Sequence, residues 1–147
     1  GGFSLAELMI TIAVLGALAG IAIPQYQDYR KRALITQAVT DISGISLALK
    51  IYYDENATYP ASLGALGINV PTDPWGNPYV YLPIAIIPPP NVGQVRKDKN
   101  LNPLNSDFDL FSMGPDGQTQ KQLTAAKGRD DIVRANNGGF IGEASKH

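Results

Sequence analysis

Cysteine is absent from this 147-residue chain, which removes disulfides, thiolate metal sites and thiol nucleophiles together. Histidine is scarce too: the single one, His147, ends the sequence. Imidazole metal centres and hydrolysis by a Ser-His-Asp triad are thereby excluded. Charge of either sign is thin, with a net value of −1. A surface without a basic excess has no general affinity for phosphate backbones, so nucleic acid is not an expected partner. No pair of acids has the spacing or company that glycosidase chemistry requires, and no enzymatic activity is expected. Any folded part must be held by packing, hydrogen bonds or a metal ion.

What the chain has is apolar residues, 44% of the total, crowded toward the start. Residues 3–23 form a run of about 20, the length of helix that spans a bilayer core. A cleaved secretory signal has a shorter apolar core and stops at small residues, whereas here the pattern changes character at Pro24 and continues. Ile35, Ala38, Ile42, Ile45, Leu49 and Tyr52 recur at spacings of three and four, the stripe of an amphipathic helix. One helix to about Asp54 would be roughly 75 Å long. Pro24 lacks an N–H and crowds the carbonyl of Gly20, and Gly16 and Gly20 lower the helix propensity around it. A kink or local melting between Gly16 and Pro24 is expected once the chain is assembled.

One carboxylate, Glu7, interrupts the apolar run. An acid at membrane depth is costly unless a partner neutralises it. Cutting the bond between Gly2 and Phe3 would give Phe3 a free amine, and Glu7 is placed to neutralise such an amine on an adjacent copy. That is a device for polymerisation. The basic cluster Arg30-Lys31-Arg32 just beyond the run suits lipid headgroups, a neighbour's acids or a solvated helix face equally.

The opening Gly2-Phe3-Ser4-Leu5-Ala6-Glu7-Leu8-Met9-Ile10, with Gly16, Gly20 and Ala22-Ile23-Pro24-Gln25-Tyr26, resembles the type IV pilin superfamily, which includes pilus subunits and the pseudopilins of type II secretion. The resemblance implies cleavage after Gly2 by a prepilin peptidase, methylation of Phe3 and a role for Glu7 in assembly on an inner-membrane platform. Gly1 and Gly2 then read as residual leader, residues 3–24 as the membrane and filament-core helix, 25–55 as its amphipathic continuation and 56–147 as a β-rich head.

Past Glu55 the sequence turns to punctuation: Thr58-Tyr59-Pro60, Pro71 to Pro78, and Pro88-Pro89-Pro90. Short strands are expected at Tyr79-Val80-Tyr81-Leu82, with Ile84 to Ile87 as an extension, and at Phe108-Asp109-Leu110-Phe111-Ser112. A small antiparallel sheet on the helix stripe gives an α+β fold of pilin type. The segment Asp73-Pro74-Trp75-Gly76-Asn77-Pro78-Tyr79 resembles major pseudopilins, with Trp75 as an anchor at the sheet edge. Residues 91–106, polar and without period, read as a surface loop. Asn136-Asn137-Gly138-Gly139 reads as a turn before Phe140-Ile141. The sequon Asn56-Ala57-Thr58 carries little weight on its own.

Asp107, Asp109, Asp116, Asp130 and Asp131 gather hard oxygens in the last third, the ligand type that calcium takes. The pattern is not an EF-hand loop. Asp116-Gly117-Gln118 and Asp131-Ile132 resemble the pseudopilin loop that binds calcium, which implies Asp116 and Asp131 as ligands, with Asp130 as alternate. Against this, Val133 replaces a frequent hydroxyl and the intervening loop carries Lys121, Lys127 and Arg129. Those cations give a second reading, surface ion pairs, and Asp130 or Asp131 would also serve to cap a short helix from Ile132 to Ala135.

The sequence therefore points to a structural subunit that forms a homopolymer, an extracellular pilus-like filament, through its N-terminal helix, starting from an inner-membrane precursor. Its alternatives are the major pseudopilin of a type II secretion system, spanning the periplasm, and a periplasmic binding protein anchored singly by the same helix. A DNA-uptake pilin would need a basic tip that this head does not offer.

Overall fold

A computed structural model describes residues 1–87, 91–99 and 101–147, with only the backbone of residues 91 and 92. The triple proline 88–90 lies outside the described residues. Two compact units divide the chain, Gly1–Leu34 and Ile35–His147.

One helix, α1, runs Leu5–Asn56 and passes through Gly16, Gly20 and Pro24 without a break. The melting expected between Gly16 and Pro24 concerns the assembled state; in the single chain these residues are helical. An 18-residue window of α1 has a mean hydropathy of 2.2, enough by length and composition to cross a membrane. Every residue from 1 to 33 is exposed. From residue 34 the pattern changes: Ala38, Ile42, Ile45 and Leu49 are buried, with Ile35 and Tyr52 partly so. The helix closes at Ala57, whose φ of 55° is left-handed and whose N–H donates to the Tyr53 carbonyl at 2.7 Å, a way of satisfying a last-turn carbonyl that glycine usually provides.

The second unit pairs this stripe with a four-stranded antiparallel sheet in simple sequence order: β1 (Val80–Leu82), β2 (Asp109–Ser112), β3 (Ile132–Ala135) and β4 (Phe140–Glu143). Register follows from Tyr81 opposite Leu110, Phe111 opposite Val133, and Arg134 opposite Ile141. Alternation then gives the sheet two apolar faces. One packs Tyr79, Phe108, Leu110 and Ile132 on the helix stripe, with Trp75, Tyr59 and Tyr81 at the margin. The other collects Phe111, Val133 and Ala135 with Leu104, Leu123 and Ala144.

Three expectations are corrected. Residues 91–106 are not merely a surface loop: Val95, Arg96, Leu104 and Asn105 are buried, because a sheet with two apolar faces needs a second cover. Ile84–Ile86 is a 3-10 turn and not an extension of β1. Ile132–Ala135 is the fully buried strand β3, so neither Asp130 nor Asp131 caps a helix there; a run with alternate residues in two cores has to be extended. The turn at Asn136-Asn137-Gly138 before β4 is present as read.

Asp73 organises the turn into β1. Its Oδ1 accepts the N–H groups of Trp75 (3.1 Å) and Asn77 (2.8 Å), and its Oδ2 accepts the Ser112 hydroxyl at 2.5 Å, which ties the turn to β2. After β2 the chain turns at Gly114, with φ 66°. A Cβ there would collide with the Asp130 carbonyl, so both conformation and space demand glycine.

Candidate functional site

Glu7 is the first candidate, and its neighbour Ser4 explains its local geometry. Ser4 precedes the first helical residue. Its Oγ accepts the Glu7 N–H at 3.2 Å while Glu7 Oε2 accepts the Ser4 N–H at 3.3 Å. This reciprocal pair is a capping box, which satisfies two of the donors that a helix start leaves free. Glu7 also sits in the first turn, where the helix dipole favours negative charge. Only Oε2 is so engaged. Gly2 and Phe3 lie outside the helix, and Phe3 is 89% exposed. Sequence reasoning passed over Ser4, although Ser4-Leu5-Ala6-Glu7 is the spacing that signals such a box.

The five C-terminal acids take separate roles. Asp107 binds Arg134 through both oxygens, at 2.8 and 2.7 Å, and the guanidinium lies 4.0 Å over the Phe108 ring. Asp109 accepts the main-chain N–H of Arg96 (2.8 Å) and the amide of Asn105 (2.9 Å). Asp116 is exposed and accepts the Gln118 N–H at 2.8 Å. Asp130 is partly buried. Asp131 is fully buried; its Oδ2 accepts Arg96 Nη2 at 2.6 Å and the Thr119 hydroxyl at 2.5 Å. Its Oδ1 has no hydrogen-bond partner among the described residues. The cations that sequence reasoning offered as surface partners, Lys121, Lys127 and Arg129, are not the ones that bind Asp107 and Asp131. Arg96 and Arg134 do so, from inside.

Burial pushes the Asp131 carboxyl up to about 6, while the Thr119 hydroxyl and the Arg96 charge pull it back. The folded state then holds this proton more tightly than the unfolded chain, whose aspartates titrate near 3.9. The stabilisation from this group is complete below about pH 4 and is lost as pH rises through about 6. In thermal unfolding of the full chain in detergent, the Asp131→Asn variant is expected to lose this component of the pH slope. A slope unchanged between the two ends of that window would contradict the assignment.

No family model matches the chain. Curated proteins do. The type II secretion system core protein G of Pseudomonas aeruginosa is 31% identical over 138 residues, covering 80% of this chain and 84% of that protein. Its counterpart in Escherichia coli K12 is 30% identical over 146 residues, covering 84% and 88%. The chain belongs to the type IV pilin superfamily. The fimbrial protein EcpC of Eikenella corrodens is 45% identical over a shorter stretch of 67 residues, 46% of this chain and 44% of that protein.

Membership of the superfamily raises the calcium site again, and among the described residues the carboxylates implied for it, Asp116 and Asp131, take separate partners. A calcium ion takes about six to eight oxygens. Among the described residues no three carboxylates or imidazoles converge. The Oδ1 of Asp131 is free to accept, but a guanidinium already stands beside the same carboxylate, and a second cation there would meet its repulsion. Asp116 is engaged at the surface with its own turn.

Proposed function

We propose that this chain is a structural subunit that a prepilin peptidase cuts between Gly2 and Phe3, and that an inner-membrane platform then adds, helix against helix, to a homopolymeric filament. The observation that carries this reading is the pairing of Glu7 with an unburied apolar surface. Leu8, Met9, Ile10, Ile12, Val14, Leu15, Leu18, Ile21 and Ile23 are all more than half exposed. In a bilayer that surface is at rest, since lipid tails are as apolar as leucine. Outside the bilayer each such side chain gains about 1.5–3 kcal/mol on burial, so an extracted subunit requires a bundle of its own kind. Apolar matching alone sets no register. Glu7, against the amine of a neighbour's Phe3, supplies one.

The expected homes are the inner membrane for the precursor and the cell surface or periplasm for the filament. The secretion-type reading has its own support: proteins named core protein G align with four-fifths or more of the chain, head included, whereas EcpC covers less than half. That favours the pseudopilus over the surface fibre.

Electron microscopy of filaments recovered from cells producing the chain, both sheared from the surface and released from the periplasm, with mass spectrometry of the N-terminus, tests both points. The expected result is a fibre whose subunit starts at methylated Phe3. A monomer that keeps Gly1 and Gly2 would overturn the filament reading. Deletion of the gene separates the two homes, since a pseudopilin loss blocks protein secretion and leaves surface fibres untouched.

A further inference from the structure

Three separate stretches of the head meet on one buried cation. Arg96, 3% exposed, comes from the segment that covers the outer face of the sheet. Its Nη2 donates to Asp131 at the entrance to β3 (2.6 Å) and its Nη1 to Thr119 in the long loop after β2 (2.7 Å). Thr119 closes the triangle by donating to the same Asp131 oxygen. The guanidinium lies flat on Phe111 of β2, 4.1 Å from the ring centre, where stacking and cation–π attraction both favour arginine. The main chain holds the residue in place: the Arg96 N–H is bound by Asp109, and next to it Lys97 exchanges bonds with the Lys121 carbonyl (2.9 Å) and the Leu123 N–H (3.1 Å).

We propose that Arg96 is a built-in substitute for a divalent ion, a fixed positive charge that fastens the loop 113–131 to the sheet, so that the head holds its fold without metal. A calcium ion fastens such a loop by drawing oxygens from several segments to one centre. Arg96 draws Asp131 and Thr119 to one centre in the same way, and the fork of the guanidinium gives the clamp a direction that a spherical ion lacks. Burial makes the clamp obligatory. Asp131 has no access to solvent, so without Arg96 it must either stay charged with one hydroxyl for company or take up a proton, and either change costs stability at neutral pH.

The inference rests on the head alone and stands or falls apart from the filament reading. Thermal unfolding of the full chain in detergent, with millimolar calcium chloride or with EDTA, tests it. The parent chain is expected to unfold at one temperature in both. Arg96→Met is expected to unfold about 10 °C lower, and Arg96→Lys, which keeps the charge without the fork, to fall between. Calcium raising the parent's midpoint would overturn the proposal, as would Met and Lys variants that fall equally, since packing and not charge would then be the agent. Should Arg96→Met fail to accumulate, Thr119→Val removes one of the two acceptors and is expected to lower the midpoint by a smaller amount; no change would likewise sink the clamp.

Discussion

Glu7→Ala is expected to leave the subunit in the inner membrane at normal amounts and to reduce filaments to background. The membrane step should be untroubled, because alanine is easier to hold in a bilayer than a carboxylate. The two tasks of Glu7 are separable by substitution. Glutamine at this position still completes a capping box with Ser4, so Glu7→Gln preserves the helix start while losing the charge that a neighbouring amine requires. Equal failure of the Ala and Gln variants in a shearing assay would assign the role to charge between copies. Normal fibres from Glu7→Gln would show that the helix cap alone matters. Ser4→Ala makes the opposite cut: it weakens the cap and spares the carboxylate, and a milder defect is expected.

The second large effect lies in the head, where the pair Asp107–Arg134 is unequal. The side chain of Arg134 is wholly buried and that of Asp107 is 16% exposed. Losing one partner of a buried pair costs about 3–5 kcal/mol because the survivor stays charged and dry, so the burial of the survivor decides the cost. Asp107→Ala strands Arg134, whose remaining hydrogen bonds among the described residues are to the Phe108 carbonyl at 3.1 Å and the Asn105 oxygen at a long 3.5 Å. Arg134→Met strands Asp107, which can reach water and keeps the Phe108 N–H at 2.7 Å. Denaturant unfolding of the full chain is therefore expected to rank Asp107→Ala as the more damaging, near the upper end of that range. The reverse order would mean that stacking of Arg134 on Phe108 outweighs its charge. Acid adds a check. Burial raises the Asp107 carboxyl, but the bonds from Arg134 and the Phe108 N–H outweigh it and hold it below its ordinary value. Its stabilisation is present above about pH 4 and is lost only as pH falls through that lowered value, the opposite sign to Asp131.

The helix, the stripe and the first two strands were legible because each obeys one period. Ala38, Ile42, Ile45 and Leu49 repeat at three and four, and Tyr79 to Leu82 and Phe108 to Ser112 carry alternate large apolar residues between turn signals. Residues 91–106 escaped because their buried apolar residues, Val95 and Leu104, form no period and the rest of the burial is polar. Arg96 and Asn105 enter the interior through charge and hydrogen bonds with residues 13 to 35 positions away, and no local window contains such partners. Ile132-Val133-Arg134-Ala135 was ambiguous because three apolar residues around one arginine, next to two aspartates able to cap, fit a short helix as well as a strand. At the N-terminus Glu7 stands out as the one acid in an apolar run, while Gly2 and Phe3 draw their meaning from the resemblance to type IV pilins. Ser4 was missed because its function is reciprocal with Glu7, and attention to the acid as an outward-facing group hid its inward bond.

From residue 1 to residue 33 every residue of the first unit is exposed, so its coil is upheld by its own ladder of amide bonds and by whatever medium surrounds it. Grease rewards that ladder and water competes with it, most of all opposite Pro24, where one rung is missing. Amide hydrogen exchange along this stretch should thus report the surroundings, fast in aqueous buffer and slow in lipid or among sister helices: its shape belongs to its company as much as to its sequence.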